Sequence, residues 1–261
     1  MINRTSSDES LAAVCRFLLD YSVALFAAGA TCIRLEMNIR RMATALGVNV
    51  ETTIMPRHIY ITVCRPADGE SITRFATVSG GCISFDVNTR LSSLSWELAD
   101  GKIDFSTCMS RFSEIIAPSP RCEWLLILLV GVANASFCRL FGGDLIAMAI
   151  VAIATVIGFR LKQYLLSCHV DLRVVMIICA FVSSVLGATD SLFSLGTTPT
   201  VAIGTSVLYL VPGIPFLNSF SDMLYRHYIC AFSRLTDALV LTFCISVGLC
   251  AGMCLMNVGM F

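Results

Sequence analysis

The chain is poor in charge. Lys and Arg number 18, Asp and Glu number 18, and together they make up 14% of 261 residues with no net charge. No basic tract stands out, so nothing selects nucleic acid as a partner. Three histidines, His58, His169 and His227, stand far apart, and the 13 cysteines contain no CxxC pair. Metal-ligand spacing is therefore missing, and neither a metal nor another cofactor is expected. The cysteines run from Cys15 to Cys254, eight of them beyond Pro120, which suits small apolar filler better than a disulfide framework. The opening MINRTSSDESLAAVCRF places Asp8 and Glu9 before any apolar stretch, unlike the basic-then-apolar layout of a cleavable leader. The first half is accordingly expected to stay in the cytoplasm.

What the chain has in abundance is apolar surface: 56% of its residues are hydrophobic, and the mean hydropathy is +0.80. The few charges are unevenly spread. Residues 1–120 hold 11 basic and 12 acidic side chains, residues 121–261 only 7 and 6. The expected organisation is therefore a cytoplasmic α+β domain over 1–120 followed by an all-α transmembrane bundle over 121–261.

In the second half, charges delimit five uncharged runs. They lie between Glu123 and Arg139, Asp144 and Arg160, Arg173 and Asp190, Asp190 and Asp222, and after Asp237. The first three hold 15, 15 and 16 residues, short of the ~20 that a helix needs to cross ~30 Å of hydrocarbon. Arg139 and Arg160 can snorkel on long stems, whereas Asp144 and Asp190 fit better beside a polar cavity. With the N-terminus inside, Arg121, Arg160, Lys162, Arg173, Arg226 and Arg234 fall on the cytoplasmic side and Arg139 alone outside, so Phe261 ends outside. Asn134 and Ser136 read as lipid-facing polar positions that another subunit or copy would cover.

The fourth run carries the most specific pattern. Pro212, Gly213 and Pro215 interrupt an apolar stretch and remove helical backbone partners. Two readings stay open: an unwound segment of the kind that forms transporter substrate sites, or a helix ending at Val211 and passing into a loop. On the first reading Pro212, Gly213, Pro215, Asp222, Asp144 and Asp190 are the candidate substrate or coupling residues.

In the first half, periodicity predicts a helix over Leu11–Phe26 and a second from Ile33, stopped by Gly47. On the second, Ile33, Met37, Met42 and Leu46 fall on one side and Arg34, Asn38 and Arg41 on another. VNVETTIMP, RHIYITVCRP and SITRFATVS read as three strands with a turn at Asp68-Gly69. FDVNTRLSSLSWEL and DFSTCMSRFSEII read as two further helices, the latter capped by Asp104 or Ser106. Asp86 and Asn88 near Arg90, and Arg34 ahead of Glu36, are ordinary helix-surface patterns with no nucleophile or phosphate loop beside them, and Ser79-Gly80-Gly81 is only a weak turn signal. No catalytic residue is expected.

Several segments together resemble the threonine/serine exporter family. They are AGATCIRLEMNIRRMATALGV (Ala28–Val48), DVNTRLSSLSWELADGKID (Asp86–Asp104), LFGG (Leu140–Gly143), VPG (Val211–Gly213) with Asp222 after it, and SRLTDAL (Ser233–Leu239). Their order and spacing cover nearly the whole chain. The Arg34-Leu35-Glu36 triplet stands where the family has Arg-Val-Glu, and Cys32 stands at a position usually polar or aromatic. The resemblance implies a secondary exporter in the cell inner membrane, and specifically the larger subunit of the family's split form. That form works with a smaller membrane subunit and is associated with dicarboxylates such as succinate, whereas the family name points to threonine and serine. The chain is expected to meet that smaller subunit, the lipid bilayer and further copies of itself. The rival from the residues alone is a membrane-anchored cytoplasmic enzyme or ligand sensor, although five spans exceed what an anchor requires.

Overall fold

The computed structural model describes residues 4–257, apart from 68, 79, 81–82, 118–122 and 194–195. Asp68 of the expected turn, Ser79 and Gly81 of the Gly-rich turn, Arg121 and Phe261 lie outside the described residues. The chain divides into two compact units, one of Met1–Ser119 with Ile214–Leu235, the other of Pro120–Gly213 with Thr236–Phe261. Residues 214–235, grouped by sequence with the membrane half, thus pack with the first unit.

The first unit begins with α1 (Arg4–Ala27) and α2 (Cys32–Ala45), continues through strands β1 (Asn49–Ile54), β2 (His58–Cys64) and β3 (Ser71–Thr77), and then forms α3 (Phe85–Ala99) and α4 (Phe105–Ile116). The strands make one antiparallel sheet in the order β1-β2-β3, with Val63 opposite Val50 on one side and Ile72 on the other. Alternation along β2 turns Ile59, Ile61 and Val63 inward, where they join Leu18, Leu25, Leu35, Ile39 and Leu91 in the core. Each such buried side chain contributes about 1.5–3 kcal/mol. The opposite face carries the stacked Tyr60 and Phe75 and a Thr62–Thr73 hydroxyl contact.

Helix starts follow the sequence signals: Thr31, Ser84 and Asp104 each accept a backbone N–H of the first turn. Asp104, not Ser106, is the cap of α4. Gly47, at φ +70°, ends α2 as expected. The buried face of α2 differs from the expected one. Leu35, Asn38, Ile39 and Met42 point inward while Met37 is exposed. Asn38 tolerates burial because its amide donates to Tyr21 Oη (3.1 Å) and Ser92 Oγ (3.2 Å). Burial in turn pushes the Tyr21 phenol above its ordinary range.

The second unit holds α5 (Glu123–Leu140), α6 (Leu145–Ser167), α7 (Leu172–Gly187), a short α8 (Thr189–Phe193) and α9 (Pro199–Ser206), followed by a 3₁₀ turn over Leu208–Leu210. After α10 (Gly213–Leu224), α11 (Tyr228–Leu255) gives its first turns to the first unit and the remainder to the second. Among the described residues four helices are long and apolar enough to cross a membrane. A fifth crossing exists if Pro199–Leu210 and Gly213–Leu224 form one interrupted span. The helices overrun the charge-delimited runs, α6 reaching 23 residues and α11 28. Arg160, Lys162, Arg234 and Asp237 lie inside helices instead of ending them, because a charge at a span end need not break the backbone ladder. Small residues bring the helices close: a Cβ on Gly252 would lie 2.7 Å from Ser184, and one on Gly248 would run into the Ile177 carbonyl.

Candidate functional site

The interruption in the fourth apolar run is real and narrow. The 3₁₀ turn ends at Val211, whose ψ of 127° is extended, and Pro212 offers no N–H. Gly213 already opens α10, so the expected unwound segment Pro212–Pro215 shrinks to Val211-Pro212. Pro215 sits in the first turn of α10, where a missing N–H removes no helical bond. Beyond the two residues Val211-Pro212 the chain continues as helix, so no long loop follows the break.

This break borders a cavity of about 390 Å³, lined by Val130, Ala133, Asn134, Phe137 and Phe141 of α5 together with Leu208, Tyr209, Val211 and Gly213. A Cβ on Gly213 would meet nothing within 4 Å. Two polar groups on the wall are held from behind. The Asn134 amide donates to Thr155 Oγ1 (2.6 Å) and to the Thr205 carbonyl (3.1 Å), while Tyr209 Oη contacts Ser183 Oγ at 3.0 Å. Asn134 is therefore buried within the unit and not lipid-facing; Ser136 is exposed, its hydroxyl returned to the Val132 carbonyl. Gly158 makes room for the Tyr209 hydroxyl, onto which a Cβ there would fall. Thr155, Ser183 and Tyr209 escaped the sequence reading, and Asn134 entered it only as a lipid-facing position, although a lone amide in a run such as WLLILLVGVANASFC was the available signal.

A second polar cluster lies at the ends of α5 to α9. Asp144 caps α6 by accepting Ala147 N–H (2.7 Å) and also accepts Thr197 N–H (2.6 Å) and Thr197 Oγ1 (3.0 Å). Led by the Thr197 N–H, these bonds hold the Asp144 carboxyl, which lies between two spans, below its ordinary range. Asp190, wholly buried, accepts Gly196 N–H at 2.7 Å. Asp144 and Asp190 are thus brought together, apart from the residues around the break.

Asp222 belongs elsewhere. In the first unit its Oδ1 accepts the Cys32 N–H that opens α2 (2.8 Å), and its Oδ2 lies 2.9 Å from Arg234 Nη1. That ion contact is not an aligned hydrogen bond, since neither atom has a partner by angle. Arg234 Nη2 donates to Ala30 O (2.8 Å), the guanidinium lies over Phe26, and Asn218 Nδ2 donates to Gly29 O (2.8 Å). Three side chains from α10 and α11 therefore hold the 29–32 turn by its backbone. Gly29 is required there: its φ is +88°, and a Cβ would meet Ile83 Cγ2 at 2.9 Å. Arg34 Nη1 donates to Asn88 Oδ1 (3.0 Å), and Glu36 lies 3.6 Å from His227 Nε2. Asp86 and Arg90 form an exposed pair at 3.8 Å.

Among the described residues no group of three His, Cys, Asp or Glu side chains could hold a metal ion. A family profile whose description is "Putative threonine/serine exporter" (ThrE) matches residues 16–256. A protein of Klebsiella aerogenes named "Probable succinate transporter subunit YjjP" is 30% identical over 243 residues, covering 92% of this chain and 93% of that protein. Its namesake in Escherichia coli K12 is 28% identical over 242 residues, with the same coverage. No solved structure matches.

Proposed function

This chain belongs to the threonine/serine exporter family, a family of transporters and not of enzymes, and on that premise we propose that it exports a dicarboxylate such as succinate, using the cavity beside the break. The observation that carries this reading is the juxtaposition of an interrupted apolar run, an open Gly213 and two wall-held polar groups, Asn134 and Tyr209, around one cavity. A carboxylate there comes against Gly213, the first residue of α10, whose missing side chain allows backbone approach and whose place at a helix start favours negative charge. Asn134 and Tyr209 supply neutral orienting contacts. Threonine and serine carry a carboxylate too; the dicarboxylate is preferred because of what the two relatives are named for.

Efflux of labelled succinate and threonine from cells with and without the chain tests this. Succinate efflux depends on the chain, and Gly213→Val, at equal membrane abundance, lowers it by on the order of tenfold or more, as expected when a pocket contact is blocked. Efflux at the parental rate would move the substrate site away from the break.

The chain is a multi-pass membrane protein. In our reading it resides in the cytoplasmic membrane with residues 1–120 inside, works with a smaller membrane subunit and also contacts copies of itself. The large exposed apolar side chains of α5, among them Leu125, Leu128, Leu129 and Val132, support lipid or subunit contact. A reporter active only outside the membrane is expected to be silent after Ser167 and active after Phe261; the reverse pattern would invert the orientation.

A further inference from the structure

The cluster at the ends of α5 to α9 contains a buried charge that the fold leaves uncompensated. Asp190 is 0% exposed, and while its Oδ1 accepts the Gly196 N–H, its Oδ2 has no hydrogen-bond partner among the described residues. The second carboxylate is close. A Cβ on Gly196 would lie 2.9 Å from Asp190 Oδ1 and 2.8 Å from Asp144 Oδ2, so both acids converge on one glycine. Asp144 is fully engaged with donors, whereas Asp190 is not.

No described cation balances the pair. Asp190 lies on α8, which packs against α6, α7 and α9. Helix α9 has no titratable side chain. The titratable groups of α7 are Arg173 in its first turn and Cys179 in its middle, while Asp190 follows its last turn. Those of α6 are Arg160, Lys162 and Tyr164 toward its C-terminus, while Asp144 caps its start. Arg139, at the end of α5, donates to the Gly143 carbonyl at 3.1 Å. A buried carboxylate oxygen without a donor is costly and calls for a partner from outside the described fold.

Building on the transporter reading above, we propose that Asp190 Oδ2 is the attachment point for a single exchangeable positive charge, a proton or a sodium ion, coupled to export, with Asp144 as the fixed positioning residue. A proton binds as the Asp190 carboxylic acid. A sodium ion instead takes the carboxylate oxygen as a hard ligand. Either neutralises Asp190 when loaded and leaves it destabilised when empty, which is what a binding step alternating with release requires.

Infrared spectroscopy of the full chain in lipid, near neutral pH, separates the two ions, the absolute spectrum reporting a protonated carboxyl and the cation-exchange difference spectrum a bound sodium ion. Sodium chloride is exchanged for choline chloride in wild type, Asp190→Asn and Asp144→Asn. For a proton, a protonated-carboxyl band is present in wild type and Asp144→Asn and absent from Asp190→Asn. For sodium, a carboxylate band shifts on cation exchange in wild type and not in Asp190→Asn. Absence of both signals in folded wild type overturns the proposal, as does a signal that survives Asp190→Asn. Should Asp190→Asn fail to fold, Asp190→Glu decides: it retains the acid and must show the wild-type signal at a displaced frequency, and an unmoved signal overturns the assignment. The readout needs no transported metabolite. If the chain moved neither succinate nor threonine, the proposed function would fail while the infrared result still judged Asp190.

Discussion

Among the described residues each of the two units buries one aspartate completely, and they treat it in opposite ways. In the first, Asp222 receives the N–H that opens α2 and faces the Arg234 guanidinium, so its charge is answered from within the fold. In the second, Asp190 receives one N–H, has a second aspartate near it, and leaves an oxygen without a partner among the described residues. Burial alone therefore says little about role. An answered charge fixes one arrangement of the chain, here the grip of α10 and α11 on the 29–32 turn. An unanswered one has to be satisfied from outside, which makes it sensitive to ions.

The contrast can be broken most forcefully at Arg234. Arg234→Leu strands the Asp222 carboxylate, and the expected loss of stability is about 3–5 kcal/mol, the range for removing one member of a buried ion pair. Thermal unfolding of the full chain in detergent measures this. Adding Asp222→Asn to Arg234→Leu is expected to recover a large part of the loss. A single-variant cost below about 1 kcal/mol, the range of exposed pairs, would mean that Asp222 is solvated and the contrast with Asp190 is false.

A smaller effect at an exposed aspartate sets the other limit. Asp104 caps α4 in open water, accepting first Ser106 Oγ (2.5 Å) and then Thr107 N–H (3.2 Å), which together lower its pKa from 3.8 to about 2. Because the folded value lies below the unfolded one, its stabilisation is complete above about pH 4 and disappears as the pH falls through about 2. Asn is also a good cap but does not titrate there. Unfolding midpoints between pH 5 and 2 should therefore converge for wild type and Asp104→Asn as acid is added. Parallel curves across that window would show that the charge of Asp104 contributes nothing.

Local signals were legible in the sequence where their causes are local. Alternation gave the three strands, Gly47 the end of α2, Asp104 the start of α4, and Pro212 the break, because each depends on backbone geometry within a few residues. The errors arose where a partner lies far along the chain. Met37 falls on the apolar side of α2 with Ile33 and Met42, and Asn38 on the side of Arg34 and Arg41, yet Met37 is exposed while Tyr21 and Ser92 satisfy Asn38 and draw it inward. Asn134 read as a polar flaw on a lipid face until Thr155 and the Thr205 carbonyl supplied its partners.

By itself the sequence determined that the second half is apolar enough for a membrane, that the first half is an α+β unit, and that one apolar run is interrupted, since composition and short-range periodicity set hydration and local backbone shape. Only the tertiary structure decided which polar residues are compensated. Asp222 and Asp190 are the same residue type, both bordering the fourth apolar run, yet one finds Cys32 and Arg234 while the other finds Gly196 and lies near Asp144. The strength of a buried charge's interactions depends on distances across the fold, and those distances are not encoded in the spacing of residues along the chain.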